Sequence, residues 1–547
     1  MSDASNNQGI PEPEGPSDII DTDYEIGQDN IETKIGPFGL DIHNPVFAIS
    51  GLTIIAFVFY ALALPEQAND IFGHLRPYLT STFDWFFLGS ANIFVLFCLA
   101  LIVLPVGNVR LGGSDATPDY SYMGWFAMLF AAGMGIGLMF FGVLEPVYHM
   151  AISEPLGVPS PFAEDGSIIP ENVEAARQMG LAATIYHWGL HPWAIYAVVA
   201  LALALFSYNK GLPLTIRSAF YPLLGERVWG WPGHIIDILA VFATLFGLAT
   251  SLGFGAQQAN AGLDHVFGVP VNTTVQVLLI TGITAIALVS VVRGLDGGVK
   301  VLSEINMVIA AALLLFVLFA AGATNILSDF VNGLIGYAKD VIPLSNPVGR
   351  EDTGYMQGWT SFYWAWWISW SPFVGMFIAR VSRGRTVREF VVCVLLIPSL
   401  VCILWMAVFG GAAIEQVFSD PANSAVKAQV IDSYNPPMSL FAMLEGLPMA
   451  SITSVIAIVL VIVFFVTSSD SGSLVIDTIT AGGKVDAPVP QRVFWCVFEG
   501  AVAIVLLLGG GLGALQAMVI STGLPFTLVL LVMCFAIWRG LQAERNL

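Results

Sequence analysis

The sequence predicts an all-α polytopic membrane protein with 12 transmembrane helices. Of its 547 residues, 56% are hydrophobic and only 11% are charged, and the mean hydropathy is +0.77. One globular core cannot hold that much apolar surface, whereas apolar runs of about 20 residues, the length that crosses a bilayer, recur along the chain. They lie near 45–64, 85–107, 124–147, 182–207, 236–265, 272–292, 301–322, 357–380, 387–412, 450–476, 493–511 and 515–538.

The first 42 residues differ from the rest of the chain. They begin MSDASNNQGIPEPEGPSD, which is polar, acidic and rich in proline, and no basic start leads into a short apolar region. We therefore expect no signal peptide and a disordered acidic tail over residues 1–42. The formal net charge of −20 is concentrated in this tail and in the outward connections, so it gives no indication of a nucleic-acid partner.

Lysine and arginine predict the orientation, because short loops rich in them stay in the cytoplasm. With the N-terminus inside, fifteen of the 20 Lys and Arg residues fall on the inner side of the membrane. We therefore expect both termini in the cytoplasm, with residues 541–547 as a short C-terminal segment.

The third span, 124–147, contains three glycines within five residues, in FAAGMGIGLMFFG. Glycine weakens a helix and exposes its backbone, so we expect a break in this span. Close packing against another helix would also explain glycines four residues apart, such as Gly133 and Gly137.

The eighth span, 357–380, contains WAWWISWSPFVG, in which four tryptophans accompany Ser371, Pro372 and Gly375. Tryptophans of membrane helices usually collect at the two interfaces, so a cluster at mid-depth indicates a lined cavity. Aromatic faces attract cations, and an aromatic cage can hold a quaternary ammonium group without a formal counter-charge. The alternative is packing of bulky side chains between helices. We also expect the Ser, Pro and Gly to interrupt this helix.

Interruptions at matching places in two spans indicate a secondary transporter built from an inverted repeat. We therefore assign residues 43–123 to two peripheral N-terminal helices, residues 124–322 to a first five-helix repeat and residues 357–540 to a second. The connection 323–356 includes ILSDFVNGLIGYAKDVI, whose apolar residues recur at helical spacing. This pattern indicates an amphipathic helix and a loop on the outer membrane surface, or an ordinary structured loop.

The fourth span contains YHWGLHPWAIY, in which Trp188, Trp193 and Tyr196 stand around a proline that can turn their rings toward one cavity. His187 and His191 are spaced like two metal ligands, but no carboxylate stands beside them at helical spacing, which favours structural histidines. We find no repeated pore-lining rings, no carbonyl filter and no paired nucleophile and base. A non-enzymatic transporter is therefore favoured over an ion channel and over an intramembrane hydrolase.

The tenth span ends in FFVTSSDSGS, where Thr467, Ser468 and Ser469 offer oxygen ligands to a hard cation. Hydroxyls in membrane helices commonly bond to the helix's own carbonyls, so these residues indicate a cation site only together with the break in span three. Asp470 is an acid within a span, which makes it a candidate functional residue or the cap of a helix break.

Four stretches together resemble the betaine/choline/carnitine transporter family, and the resemblance covers roughly residues 40–540. They are FAAGMGIGLMFFG, HWGLHPWAIY, WAWWISWSPFVGMFIARVSRGRTVRE and FFVTSSDSGS, in that order. The resemblance implies a LeuT-like inverted five-helix repeat behind two extra N-terminal helices. It also implies a homotrimer in the cytoplasmic (inner) membrane of a bacterium.

The same resemblance implies a cage for an onium group. Its members here would be Trp188, Trp193, Tyr196 and Trp367, with Trp370 lower and Trp366 higher along the path. The glycine run Gly133, Gly135 and Gly137 would receive the carboxylate of a zwitterion. Choline carriers of the family have Asp at the place of Gly137, so the glycine favours a substrate with zero net charge, although packing alone would also explain it.

The resemblance further implies a sodium site. Its ligands would be the carbonyls of Ala131, Met134 and Phe464 and the hydroxyls of Thr467 and Ser468. A second sodium site in the family uses threonines of the fifth span and the ring that matches Phe373. Thr244 fits that pattern, but Leu248 stands one turn on and Thr250 is out of register, so the second site is in doubt.

These features predict sodium symport of a zwitterionic quaternary ammonium or sulfonium compound, such as the compatible solutes glycine betaine and dimethylsulfoniopropionate. Val374 stands where sodium-independent carnitine exchangers of the family have a Met, which favours coupling to sodium. A proton-coupled choline or carnitine carrier of the same family is the alternative, and an ion channel is a remote one. The expected partners are the small-molecule substrate, Na+ as coupling ion and membrane lipid.

Overall fold

The computed structural model describes residues 10–36, 38–293, 299–350 and 352–546, which are mostly helical. An antiparallel hairpin comes first, with β1 at Asn30–Ile35 and β2 at Phe38–His43. The α-helices within the described residues are α1 (Val46–Ala63), α2 (Pro65–Val103), α3 (Tyr122–Gly133), α4 (Ile136–Ala151), α5 (Pro170–Trp188), α6 (Leu190–Ala204), α7 (Tyr221–Leu224), α8 (Trp231–Phe267), α9 (Thr273–Arg293), α10 (Val299–Ala320), α11 (Ala323–Ser345), α12 (Thr353–Tyr355), α13 (Ser361–Val381), α14 (Val387–Ser419), α15 (Ser439–Glu445), α16 (Ala450–Thr480), α17 (Val489–Leu508) and α18 (Leu512–Arg545).

Most of the predicted spans coincide with long apolar helices. Within the described residues, ten helices are long and apolar enough to cross a membrane, and the count is eleven when the bent pair α3 and α4 is taken as one span. The remaining predicted run falls on α13, whose tryptophan, tyrosine and serine residues lower its hydropathy.

The break predicted in span three is confirmed. α3 and α4 meet at 65° across Met134 and Gly135, both of which have extended backbone. Such a break leaves the last carbonyls of α3 and the first N–H groups of α4 without partners in their own helices. These backbone groups are therefore available to ligands in the middle of the span.

The interruption expected in span eight is wrong, because α13 continues through Ser371, Pro372 and Gly375. Proline has no N–H for the carbonyl four residues before it, which here belongs to Ile368. The Ser371 hydroxyl donates a hydrogen bond to that carbonyl at 2.6 Å and so replaces the missing amide. Gly375 serves packing, since a Cβ there would lie 2.8 Å from Val199 of α6.

Residues 10–36 and 38–42 lie against the body of the protein, so the expectation of a disordered tail is wrong for them, while residues 1–9 and 37 lie outside the described residues. Tyr24 is 8% exposed, and its ring stacks on Trp229 with centroids 4.2 Å apart. The Arg217 guanidinium lies over the Tyr24 ring and donates a hydrogen bond to its hydroxyl at 3.0 Å.

Ion pairs give the physical reason why this acidic segment folds. The pairs are Glu14 with Arg383 at 2.6 Å, Asp18 with Lys210 at 2.7 Å and Asp41 with Lys484 at 2.5 Å. The three basic residues belong to three different connections that we predict to face the cytoplasm. Composition predicts disorder here because it takes no account of charges elsewhere in the chain.

α11 occupies Ala323–Ser345, within the stretch where we expect an amphipathic helix. It packs closely on α5, since a Cβ at Gly336 would lie 2.7 Å from the Gln178 side chain. Asp329 of α11 also forms an ion pair with Arg177 of α5 at 2.6 Å. An apolar row on α11 remains exposed, formed by Leu327, Val331, Ile335 and Ile342.

α13 lies in the middle of the helical body, packed against α6, α8 and α18. Nearly all its side chains from Ser361 to Ala379 are buried. A helix surrounded by other helices on all sides has no need of a polar face, so it can hold large aromatic residues at most positions. This central place brings its tryptophans next to the break between α3 and α4.

Candidate functional site

A cavity lies where the break between α3 and α4 faces α13. It has about 480 Å³ of space, including its opening to solvent. Residues 132–138 form one wall. The facing wall is mainly aromatic and contains Trp188, Tyr196, Trp366, Trp367 and Trp370. The residues predicted for a cage and those of the glycine run therefore face each other across one space.

Trp367 lies at the centre of the aromatic wall. Its ring centroid is 5.1 Å from that of Tyr196 and 5.3 Å from that of Trp188, with interplanar angles of 61° and 81°. Contacts between edge and face are the favoured geometry for aromatic pairs, and they leave ring faces free to meet a ligand. A cation in this cavity would be attracted by the negative π faces.

The other predicted tryptophans lie in different settings. Trp366 lines the cavity, and its N–H donates a hydrogen bond to the Ser251 hydroxyl at 3.1 Å. Trp370 also lines it, and its N–H donates to a backbone carbonyl of α8 at 3.0 Å. Trp193 is fully buried behind Trp367, with centroids 6.0 Å apart, and does not line the cavity. It supports the cage wall from behind.

Three buried indole N–H groups, those of Trp193, Trp364 and Trp367, have no hydrogen-bond acceptor within the described residues. Buried donors normally have a partner, because an unpaired one costs about 1–3 kcal/mol. Of the three residues, Trp367 alone is among those that line the cavity.

The three predicted glycines all line the cavity. A Cβ at Gly137 would lie 2.9 Å from a ring carbon of both Trp188 and Trp366, so glycine is what allows these rings to approach the backbone. A Cβ at Gly133 would meet its nearest neighbour at 3.5 Å, an ordinary contact, and nothing lies within 4 Å at Gly135. Packing is therefore a sufficient reason for glycine only at position 137.

The N-terminal turn of α4, Ile136 to Leu138, also lines the cavity. The first N–H groups of a helix have no partner within it and form the positive end of the helix dipole. This turn can therefore bind a carboxylate without a basic side chain.

A second cavity shares five lining residues with the first, namely Ala132, Met134, Gly135, Trp370 and Val374. All the predicted ligands of the first sodium site line it, namely Ala131, Met134, Phe464, Thr467 and Ser468. The Thr467 hydroxyl donates its proton to the Val463 carbonyl at 3.0 Å, which leaves its lone pairs free for a cation. Carbonyls of a broken helix together with hydroxyl oxygens suit a hard cation such as sodium.

The residues of the second candidate sodium site do not all line the second cavity. Among the described residues that line the second cavity, Phe373 is present but Thr244 and Thr250 are not. Thr244 donates its hydroxyl to the Ala240 carbonyl at 2.7 Å, and Thr250 donates to that of Phe246 at 2.8 Å. Both bonds use the hydroxyl protons and leave the oxygen lone pairs free, as at Thr467, so the second sodium site stays a prediction.

The sequence interpretation missed Glu145 of α4, which is fully buried. Its carboxylate accepts hydrogen bonds from the Trp188 indole at 2.7 Å and from the Tyr363 hydroxyl at 2.5 Å. The His187 and His149 rings contact the same carboxylate at 2.5 and 3.2 Å. An acid inside a predicted span is the signal that could have identified it.

His187 and His191 do not form a pair. His191 lies 3.0 Å from the Asn92 side-chain oxygen, whereas His187 lies in the Glu145 network. The potential ligand atoms of Glu145, His149 and His187 are within 4.8 Å of one another, which is close enough for a metal ion. Hydrogen bonds from both rings to the carboxylate account for this arrangement without one.

Two further buried acids lie away from both cavities. α16 continues through Asp470, so this residue does not cap a break, and its carboxylate accepts a hydrogen bond from Ser290 at 3.2 Å. Glu499 of α17 accepts hydrogen bonds from Ser469 at 3.1 Å and Ser473 at 3.3 Å. Among the described residues lining the two cavities, neither acid is present.

Comparison with known proteins identifies related transporters. The family model described as BCCT, betaine/carnitine/choline family transporter, matches residues 45–546. A glycine betaine/proline/choline transporter of Vibrio parahaemolyticus is 61% identical over 547 residues, which cover 99% of this chain and 98% of that protein. Glycine betaine transporter 1 of the same species is 56% identical over 534 residues, with 96% and 98% covered.

A glycine betaine transporter of Acinetobacter baylyi is 42% identical over 503 residues, covering 92% of this chain and 74% of that protein. These relatives are named as transporters, in agreement with the prediction that the chain is not an enzyme. The family match covers far more than half of the sequence. The chain therefore belongs to the betaine/carnitine/choline transporter family of multi-pass bacterial membrane proteins.

Proposed function

We propose that this chain is a sodium symporter that imports a zwitterionic quaternary ammonium or sulfonium compound, glycine betaine or dimethylsulfoniopropionate. The observation that supports this most is the wall formed by Ala132, Met134 and Gly135. The aromatic cavity shares this wall with the second cavity, which Thr467 and Ser468 line. A substrate in one cavity and a sodium ion in the other would both contact the break between α3 and α4. Each would then favour binding of the other, which is what symport requires.

The onium group would bind among Trp188, Tyr196 and Trp367. Cation–π attraction is worth about 2 kcal/mol for a desolvated contact, so several faces together give affinity without a basic or acidic side chain in direct contact. The carboxylate of the substrate would accept hydrogen bonds from the free Trp367 N–H or from the first turn of α4. An ammonium and a sulfonium present the same charge to the rings, so both substrates suit the cage.

Sodium would join the break in span three to α16. The carbonyls of Ala131, Met134 and Phe464 and the hydroxyls of Thr467 and Ser468 would be its ligands. With the ion bound, the break would be held in one geometry, and so would the cavity wall that it shares with the substrate. Rocking of one helix group against the other would then give alternating access.

The proposed topology has α13 as the twelfth transmembrane helix. Spans three to seven and spans eight to twelve would form the inverted repeat. The excess of Lys and Arg in alternate connections supports both termini in the cytoplasm and a place in the inner membrane. Membrane lipid would cover the outward apolar faces.

We further propose that the protein forms a homotrimer through α11. Its exposed apolar row would otherwise face water at the membrane surface, where such a row usually marks an interaction site. The row includes Leu327, Val331 and Ile335, each exposed by 45% or more.

Choline is the second candidate substrate. The name of the 61% identical relative includes choline and proline beside glycine betaine, which favours a broader range than zwitterionic onium compounds. A proton-coupled carrier of choline or carnitine type would need no sodium. The two functions therefore differ in both substrate and coupling ion.

Uptake into proteoliposomes that contain only this protein tests the proposal. Labelled glycine betaine, dimethylsulfoniopropionate, choline, carnitine and proline are offered with an inward sodium gradient, with a proton gradient, or with neither. We expect concentrative betaine uptake under the sodium gradient alone. Equal uptake in sodium-free buffer, or uptake driven only by protons, would contradict sodium symport.

A further inference from the structure

Glu145 is a fully buried acid whose hydrogen-bond partners are all uncharged or histidine side chains. Oε2 accepts from the Trp188 indole at 2.7 Å and from the Tyr363 hydroxyl at 2.5 Å. Oε1 lies 2.5 Å from Nδ1 of His187 and 3.2 Å from Nε2 of His149. Four donors therefore converge on one carboxylate, which is the environment that stabilises its ionised form.

The hydrogen bonds of this cluster can all be made with both histidines neutral. Thr360 lies 2.8 Å from Nε2 of His187, so its hydroxyl can donate to that nitrogen while Nδ1 donates to Glu145. Nδ1 of His149 is buried and has no partner within the described residues. A proton there would be an unpaired buried N–H, whereas the neutral ring only leaves an acceptor free. With both rings neutral, the net charge of the cluster is about −1, that of the carboxylate.

This charge is linked to the substrate cavity through Trp188. Its indole N–H binds the carboxylate, and its ring lies in the cavity wall, edge to face with Trp367 at 5.3 Å. An anionic acceptor on the N–H increases electron density in the indole ring. Because cation–π attraction is electrostatic, a more negative ring face binds a cation more strongly, and the low dielectric of the interior enhances the effect.

We propose that Glu145 is the fixed negative charge of the onium cage and sets how strongly the cage prefers a net cation over a zwitterion. The inference rests on the proposed function of this cavity. A zwitterion brings its own carboxylate, whose repulsion from Glu145 cancels part of the attraction of its onium group. Choline lacks that carboxylate and gains the full attraction. Glu145 is thus a positioning and specificity-determining residue that acts through Trp188.

The test is competition binding to the purified full-length protein in lipid nanodiscs at saturating sodium, with choline and glycine betaine as ligands. Glu145→Gln keeps the side-chain shape and removes the charge. We expect choline to lose about tenfold in affinity, and glycine betaine to lose less, so that the affinity ratio changes. The matched control is Glu499→Gln, another fully buried membrane glutamate, for which we expect the wild-type ratio.

Two further variants separate charge from structure. Tyr363→Phe removes one neutral donor but keeps the carboxylate, so it should keep the wild-type ratio. Trp188→Phe keeps an aromatic ring but removes the N–H that binds Glu145, so it should change the ratio in the same direction as Glu145→Gln. It therefore tests the inference even if Glu145→Gln does not fold. An unchanged ratio in Glu145→Gln or in Trp188→Phe would overturn the inference. Failure of the wild-type protein to bind either ligand would instead overturn the proposed function.

Discussion

The indole rings of Trp188 and Trp367 meet edge to face, with centroids 5.3 Å apart and planes inclined at 81°. They come from α5 and α13, which are far apart in the chain but adjacent at the cavity. This pair defines the corner of the cage in which an onium group would contact two ring faces at once.

We predict that Trp367→Ala and Trp188→Ala each raise the KM for uptake by about tenfold or more, because each removes a cation–π contact. The amount of protein in the membrane should change little. Trp231→Ala is the control, since that tryptophan is 61% exposed and lies outside the cavity. Wild-type KM values in both cage variants would rule out the cage.

Thr467→Ala combined with Ser468→Ala should raise the sodium concentration for half-maximal uptake by about tenfold, because two oxygen ligands are lost. Thr244→Ala is the control, and it should leave the sodium dependence unchanged, since Thr244 is not among the described residues that line the second cavity. If Thr244→Ala raises the sodium concentration for half-maximal uptake as much as the double variant does, the assignment of sodium to Thr467 and Ser468 is contradicted.

Gly137 allows steric and electrostatic effects to be separated. A Cβ at this position would lie 2.9 Å from the rings of Trp188 and Trp366, so Gly137→Ala should reduce uptake of every substrate. Gly137→Asp adds a negative charge to the same steric change, and it should lower the ratio of betaine to choline uptake further than Gly137→Ala does. Identical ratios in the two variants would mean that this glycine serves packing alone.

Docking of the N-terminal segment should depend on pH through His43. Burial, and then the charges of Arg217 and His234, lower the pKa of His43 from 6.5 to about 3. Its Nε2 accepts a hydrogen bond from Arg217 at 3.0 Å, although the Asp29 carboxylate is 3.7 Å away. The docked state thus binds fewer protons than the undocked state.

The stabilisation from neutral His43 is complete above pH 6.5 and falls by about 1.4 kcal/mol per pH unit below it. Hydrogen exchange of residues 30–43, corrected for intrinsic rates, should therefore accelerate between pH 7.5 and pH 5.5. His43→Gln should lose this pH dependence. Equal acceleration in wild type and His43→Gln would assign the effect to other groups.

The features that follow from local sequence agree with the structure. Eleven predicted spans fall on apolar helices or, in span three, on a bent pair, and the glycine run predicts the break at Gly135. The residues of the cage and of the first sodium site gather around that break because the helices that hold them pack together. The resemblance to the family predicted which helices contribute residues to each site, because the periodicity of one helix does not reveal which other helix it faces.

The features that depend on distant partners could not be predicted in the same way. Ser371 keeps α13 continuous across Pro372 by a hydrogen bond that the residue types permit but do not require. The acidic segment of residues 10–42 folds because basic residues of three connections meet it. Glu145 is visible in the sequence as an acid inside a span, but its link to the aromatic wall depends on Trp188 and Tyr363, which bind its carboxylate in the structure.

The most direct test of sodium-coupled binding measures glycine betaine binding to purified protein over a series of sodium concentrations. It reports the thermodynamic linkage between the two cavities. We predict that saturating sodium lowers the Kd for betaine by about tenfold, and that saturating betaine lowers the Kd for sodium by the same factor, because thermodynamic coupling is reciprocal. Thr467→Ala with Ser468→Ala should remove most of this coupling and retain sodium-independent betaine binding. A betaine Kd that is the same with sodium and with potassium would contradict the proposal that the shared wall at Met134 and Gly135 couples substrate to ion.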